Sequence, residues 1–195
     1  MRPTLAPDIG DERHSVAPSD LRIPFGHPTK ENELSVEAGP EALRRAAGLW
    51  NTLSGAEFIR EMIGRQLPDF SDISDFIGQQ VRDAEPGRVE IAWTPGEKLC
   101  NPGGAVHGGY IAMILDNAVC LAAASTGERF TPMLTLNLSI DYLRGVKADQ
   151  TYTVTGTCVH PGATRMVSNA VIIDARGRPV AQASASVIPN KAFAR

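Results

Sequence analysis

Hydrophobic and polar positions divide the chain into three stretches. Residues 1 to about 38 hold few aliphatics, no periodicity and many Pro, Asp, Glu and Ser, so they read as a mobile or draped arm. From Pro40 the spacing turns helical, with Leu43, Ala46, Ala47 and Trp50 on one face. Ser54-Gly-Ala-Glu57 then forms a capping box opening a second helix, Ala56 to Leu67, which Pro68 closes. This helical segment, residues 39–68, is expected to pack on the body. It has no basic recognition face, so a DNA-reading helix-turn-helix is disfavoured.

The body covers residues 69–190. Phe76 to Ala84 and Arg88 to Thr94 flank Glu85-Pro86-Gly87, a turn signal, and read as a hairpin. A loop from Pro95 to Val106 holds three glycines and two prolines. Tyr110 to Ala124 is almost wholly apolar, free of Pro and rich in Ala, Leu and Met. That composition predicts a buried helix, hydrophobic all round, over roughly residues 107–124. Leu134, Leu136, Leu138, Ile140 and Tyr142 then alternate with Thr135, Asn137, Ser139 and Asp141, the period of a strand. Thr151 to His160, Arg165 to Asp174 and Val180 to Ile188 complete four strands with short connections, which favour antiparallel neighbours. One apolar helix is buried only if the sheet wraps around it. The expected fold class is α+β, a curved antiparallel sheet enclosing one long central helix.

Composition narrows the function. The 195 residues suffice for one core and an appendage, and two full domains are not expected. A net charge of −3, with no run of Lys or Arg on any expected element, gives no support for nucleic-acid or anionic-membrane binding. Three scattered cysteines, Cys100, Cys120 and Cys158, fit reduced thiols in the cytoplasm rather than a disulfide scaffold. The N-terminus lacks the apolar core of a signal peptide, and the apolar helix is shorter than the ~20 residues of a membrane span. His14, His27 and His160 match no metal-ligand spacing, so no metal is expected. Gly103-Gly104 belongs to no nucleotide-binding motif.

Chemistry concentrates around the central helix. Asp116 sits at its middle, where an unpaired buried carboxylate is costly. Asn101, His107 and the Gly108-Gly109 pair sit at its N-terminal end, where free N–H groups and the positive dipole end suit a developing oxyanion. Glycine there lets a ligand approach the backbone closely. Together these features suggest a hydrolytic site.

The order strand-strand, Asn-Pro-x-Gly-x-x-His-Gly-Gly, Asp eight residues after the first glycine of the pair, then Leu-x-Leu-x-Ile-x-Tyr-Leu-Arg resembles the hotdog-fold acyl-CoA thioesterases. It is most similar to the branch of the phenylacetate-pathway thioesterase. The resemblance covers roughly residues 70 to 190. It implies a homodimer or dimer of dimers with sites shared between subunits. It also implies that the Gly108 N–H polarises the thioester carbonyl, while Asp116 from the partner subunit orients or deprotonates water or attacks directly. Asn101 and His107 would position the thioester or the water. Thr135 falls where relatives carry Ser or Thr close to the carboxylate. No separate cofactor is implied, since coenzyme A is part of the substrate. Its contacts are sought at Gly109, at Arg144 with Lys147, and at Gly162, Thr164 and Arg165 in the turn after Pro161. Tyr110 and Met113 suit an aryl group or a medium acyl chain alike.

Each candidate also has a plainer reading. Asp116 could be capped by a neighbouring hydroxyl or amide. His107 could bond the loop backbone, Asn101 could hold its own loop through Asx bonds, and Thr135 could be an ordinary strand residue. Arg144, Lys147 and Arg165 could be solvated strand-end charges. Cys120 reads as packing rather than a nucleophile. At the level of function, the alternatives are a hydratase or dehydratase of acyl thioesters and a non-catalytic acyl-CoA sensor.

Overall fold

The computed structural model describes residues 48–49, 52–63 and 71–190. The arm expected over residues 1–38 lies outside them, as does most of the helix expected from Pro40, including Leu43, Ala46, Ala47 and Trp50.

The capping box at Ser54 is present. The Ser54 hydroxyl accepts from the Glu57 N–H, and the Ser54 N–H donates back to the Glu57 carboxylate at 2.9 Å. It opens helix α1, Gly55–Glu61, which is shorter than expected: i→i−3 bonds at Met62 and Ile63 tighten and end it. Residues 64–68 lie outside the described residues. Phe58 anchors α1 by stacking on Phe130 at 4.1 Å between ring centres.

The first expected strand begins later than its apolar pattern suggested. Ser71–Ile77 is a short helix, α2, ended by Gly78 at φ +73°, a conformation that glycine adopts without strain. Strands β1 (Gln79–Glu85) and β2 (Arg88–Trp93) then form the expected hairpin. After a 3-10 turn at Glu97–Leu99 come the central helix α3, Gly108–Ala124, and four strands. These are β3 (Met133–Tyr142), β4 (Tyr152–Pro161), β5 (Met166–Ile173) and β6 (Pro179–Pro189).

All six strands form one antiparallel sheet in the order β1-β2-β4-β5-β6-β3. The segment after β3 is therefore not a hairpin. It carries the chain from the far edge, where β3 pairs with β6 alone among the described residues, back to the sheet centre beside β2.

The sheet packs against α3 through Ile91, Trp93, Val154, Ile172 and Val187, all fully buried. Gly156 on β4 permits the closest approach, because a Cβ there would collide with the Ala118 carbonyl oxygen of α3. The helix is not buried all round, contrary to its composition. Ile111, Ile114, Leu115, Ala118, Val119 and Ala122–Ala124 are buried, whereas Tyr110, Met113, Asp116, Asn117 and Cys120 are only half-covered. Among the described residues the sheet ends at β3, and none of its strands covers that flank.

Strand β3 departs from its simple alternation. Its register with β6 slips between Thr135 and Asn137, so Leu136 is the extra residue of a bulge. Leu138 and Ile140 pack on the core beyond the bulge and Met133 before it, while Leu134 and Leu136 are 47% and 57% exposed. The slip turns Thr135 toward the helix. Among the described residues, no helix is long and apolar enough to cross a membrane.

Candidate active site

The loop before α3 closes on itself. Asn101 Oδ1 accepts from the Gly103 N–H at 2.9 Å and the Ala105 N–H at 3.4 Å, and the Asn101 N–H donates to the Ala105 carbonyl. Cys100 bridges to Val106, and the His107 N–H donates to the Leu99 carbonyl, so the loop delivers His107 to a fixed place as the N-cap. Asn101 thus holds the loop with its carbonyl oxygen. Its amide nitrogen has no hydrogen-bond partner among the described residues.

His107 caps the helix through its ring. Nδ1 accepts from the Gly109 N–H at 3.0 Å, so in the neutral ring the proton lies on Nε2. This bond consumes the Gly109 donor. The Gly108 N–H has no hydrogen-bond partner among the described residues, and it points along the positive end of a 17-residue helix. Of the two glycines, Gly108 is therefore the one whose N–H is unspent among the described residues.

Thr135 donates to Asp116 Oδ1 at 2.7 Å. The Thr135 hydroxyl has one proton and spends it on the carboxylate, so the Cys120 thiol 3.3 Å away is the donor to Thr135 Oγ1. Burial pushes the Cys120 thiol up to about 11; the Thr135 bond opposes this and the Asp116 charge adds to it. A protonated thiol is consistent with that donor role and with packing, and unsuited to nucleophilic attack. Next to Asp116, Asn117 donates to Gln79 Oε1 at 3.1 Å, tying the helix to β1.

Gly108 and Asp116 do not meet within one chain. Eight residues along a helix separate them by about 12 Å, too far for one thioester carbon to contact both. Gly162, Thr164 and Arg165 are further removed. They occupy the β4–β5 turn, whose neighbour Met166 pairs with Val187, itself paired with Thr135, at the opposite end of the sheet from Gly108. The Arg165 guanidinium bonds Ser186 Oγ at 2.6 Å. Arg144 follows β3 near Gly108 and donates to the Pro179 carbonyl. Among the described residues, no cluster of three or more His, Cys, Asp or Glu is placed to hold a metal ion.

A family model described as the thioesterase superfamily matches residues 103–181, the stretch holding Gly108, Asp116 and Thr135. The protein smu.793 of Streptococcus mutans UA159, solved bound to acetyl CoA, is 30% identical with a TM-score of 0.54, over 57% of this chain and 88% of its own. The chain belongs to the thioesterase superfamily. Its α+β architecture is the hotdog fold. A hypothetical thioesterase of Streptococcus pneumoniae TIGR4, solved with coenzyme A, is 30% identical with a TM-score of 0.55, over 59% of this chain and 90% of its own. That pneumococcal protein was also solved with an aspartate, and separately a threonine, changed to alanine. The E. coli PaaI protein of the phenylacetic acid degradation operon shares the fold, with a TM-score of 0.61 at 20% identity over 70% of this chain and 96% of its own. No curated protein matches the chain.

Two contacts beside the candidate site residues escaped sequence reasoning. Tyr142 Oη donates to the Gly108 carbonyl at 3.0 Å, and its ring would touch a Cβ at Gly108 at 3.5 Å. It shares the phase of Leu138 and Ile140, which was the available signal. Phe76 meets Tyr110 edge-on at 5.9 Å, beside His107. Its place on a helix rather than a strand hid that contact.

Proposed function

We propose that the protein hydrolyses an acyl- or aryl-acyl-CoA thioester to the free acid and CoA, as a member of the branch similar to the phenylacetate-pathway thioesterase. The observation that carries this reading is the carboxylate held by Thr135 on the open flank of a helix whose Gly108 N–H is unspent. Water adds to the thioester carbonyl carbon and gives a proton to Asp116. The Gly108 N–H holds the oxyanion, the C–S bond breaks, and the proton passes to the CoA sulfur. Direct attack by Asp116 is the competing route. The Asn101 amide nitrogen and His107 Nε2 are the groups left to orient the thioester or the water. A thioester is electrophilic enough for this set to act without a Ser or Cys nucleophile.

The 12 Å between Gly108 and Asp116 supports a site shared between two copies. Strand β3 supplies a ten-residue free edge with Leu134 and Leu136 exposed, next to the half-covered flank of α3. Antiparallel pairing of two such edges sets the Gly108 end of one chain against the Thr135 end of the other. The assembly we propose is a homodimer or dimer of dimers, with Asp116 of one chain serving Gly108 of its partner. The unpaired cysteines fit a cytoplasmic protein.

The test is thiol release from a panel of acyl-CoA thioesters, with mass spectrometry of the acyl product. Free acid plus CoA supports hydrolysis. An altered acyl-CoA with no thiol released indicates a hydratase, and binding without turnover indicates a sensor.

A further inference from the structure

Tyr142 is the last residue of β3, and its side chain turns from the sheet edge onto the first turn of α3. Its backbone is held firmly. Tyr142 pairs with Ala181, and the next two N–H groups, of Leu143 and Arg144, both donate to the Val180 carbonyl. The side chain is 53% exposed, so its hydroxyl could be satisfied by water. Instead, Oη donates to the Gly108 carbonyl at 3.0 Å, and the ring lines a cavity of about 370 Å³ together with Gly108 and Ile111.

The carbonyl that Tyr142 bonds belongs to the peptide joining Gly108 to Gly109. The N–H of that same peptide, on Gly109, donates to His107 Nδ1 at 3.0 Å. Tyr142 O–H, the Gly108–Gly109 peptide and His107 Nδ1 therefore form one hydrogen-bonded chain in which every donor points toward the imidazole. A donor on a peptide carbonyl draws the nitrogen lone pair into the C–N bond, and this strengthens the N–H as a donor. With Nδ1 held as an acceptor, the neutral ring keeps its proton on Nε2, which has no hydrogen-bond partner among the described residues. A helix cap alone is served best by Ser, Thr, Asp or Asn. Histidine caps α3 with one nitrogen and keeps an N–H on the other.

We propose that Tyr142 is a positioning residue for His107. Through the Gly108–Gly109 peptide it holds the imidazole in one tautomer and one orientation, with Nε2–H presented to the thioester or its water. The use made of Nε2–H rests on the acyl-CoA hydrolase reading and deepens it. The relay from Tyr142 to Nδ1 is a property of the fold and is measured without turnover.

The experiment uses the full chain and its Tyr142→Phe, His107→Asn and double variants. Phe keeps the ring and removes only the hydroxyl. Loss of an ordinary neutral hydrogen bond corresponds to about a 2- to 10-fold change in an equilibrium. In Tyr142→Phe the Gly109 amide should exchange with deuterium about 2- to 10-fold faster, and the His107 Nδ1 resonance should move toward that of an unbonded ring nitrogen. On the best acyl-CoA, kcat should fall by a similar factor with little change in KM. His107→Asn retains a side-chain cap but has no Nε2–H. Adding Tyr142→Phe to it should cost no further kcat, because the relay ends at His107. Unchanged Gly109 exchange and an unmoved Nδ1 resonance in Tyr142→Phe overturn the proposal. Fully additive losses in the double variant overturn it as well, and make Tyr142 a strut between β3 and α3. A protein that shows both spectroscopic changes yet hydrolyses no acyl-CoA would sink the hydrolase reading and leave the relay standing.

Discussion

Thr135 Oγ1 lies 2.7 Å from Asp116 Oδ1 and, with its single proton, is the donor of that bond. A carboxylate fixed this way holds its other oxygen in one orientation. A hydrogen bond to a charged group is worth about 1.5–3 kcal/mol. Thr135→Val should therefore lower kcat roughly 10- to 100-fold with little change in KM, and Thr135→Ser should retain most activity. Steady-state kinetics on the best acyl-CoA decide; a Val variant with unaltered kcat removes Thr135 from the mechanism.

The Gly108 donor can be deleted by itself. Proline suits the first helical position and lacks an N–H, and His107 at φ −63°, ψ 135° already has the backbone of a residue preceding proline. Gly108→Pro should keep helix content and Tm while kcat falls about 10²–10³-fold, as for loss of an oxyanion donor. Mixing inactive Gly108→Pro and Asp116→Asn subunits then tests sharing. Random pairing gives half mixed dimers with one intact site each, restoring about a quarter of the original activity. No recovery on mixing would place both groups of each site in one chain.

The contact of Gly156 with Ala118 concerns stability rather than chemistry. Gly156→Ala forces a methyl against the α3 backbone. Overpacking of this kind costs about 1–3 kcal/mol, and Tm should fall roughly 2–4 °C per kcal/mol. A melting curve matching wild type would mean the helix sits farther from the sheet.

Much of this was legible in the sequence. The capping box at Ser54, the hairpin around Pro86-Gly87 and the four later strands followed from local turn chemistry and a period of two. Asp116 and Gly108 stood out as polar and flexible residues in an apolar run. What failed depended on distant partners. The bulge at Leu136 cannot be seen in the alternation of β3, because it is defined by pairing with β6, and it decides that Thr135 faces Asp116. The half-covered flank of α3 was hidden because composition records apolarity, not which element covers it. Phe76 was assigned to a strand because Gly78, whose positive φ ends α2, was not read as a helix stop.

Cys120 provides a pH-dependent check. Its thiol is raised to about 11 in the fold, so the native state favours the protonated form. Its stabilising contribution is complete below the ordinary thiol range and is lost as pH rises through about 11. At pH 8 iodoacetamide should leave Cys120 largely unmodified in the native protein and alkylate it in urea, as mapped by mass spectrometry. Ready native alkylation would contradict its place as a protonated donor to Thr135.

The most direct measurement of the account is the turnover of Asp116→Asn on the best acyl-CoA. Asn keeps the shape and some hydrogen bonding but cannot take a proton or attack. With a water-activating or nucleophilic carboxylate, kcat should fall roughly 10²–10⁴-fold, while KM changes far less because the proposed role of Asp116 is in the chemical step rather than in binding. Thermal stability should be unchanged or raised. An Asp116→Asn protein that hydrolyses the thioester at close to the original kcat would make this carboxylate structural and the mechanism wrong.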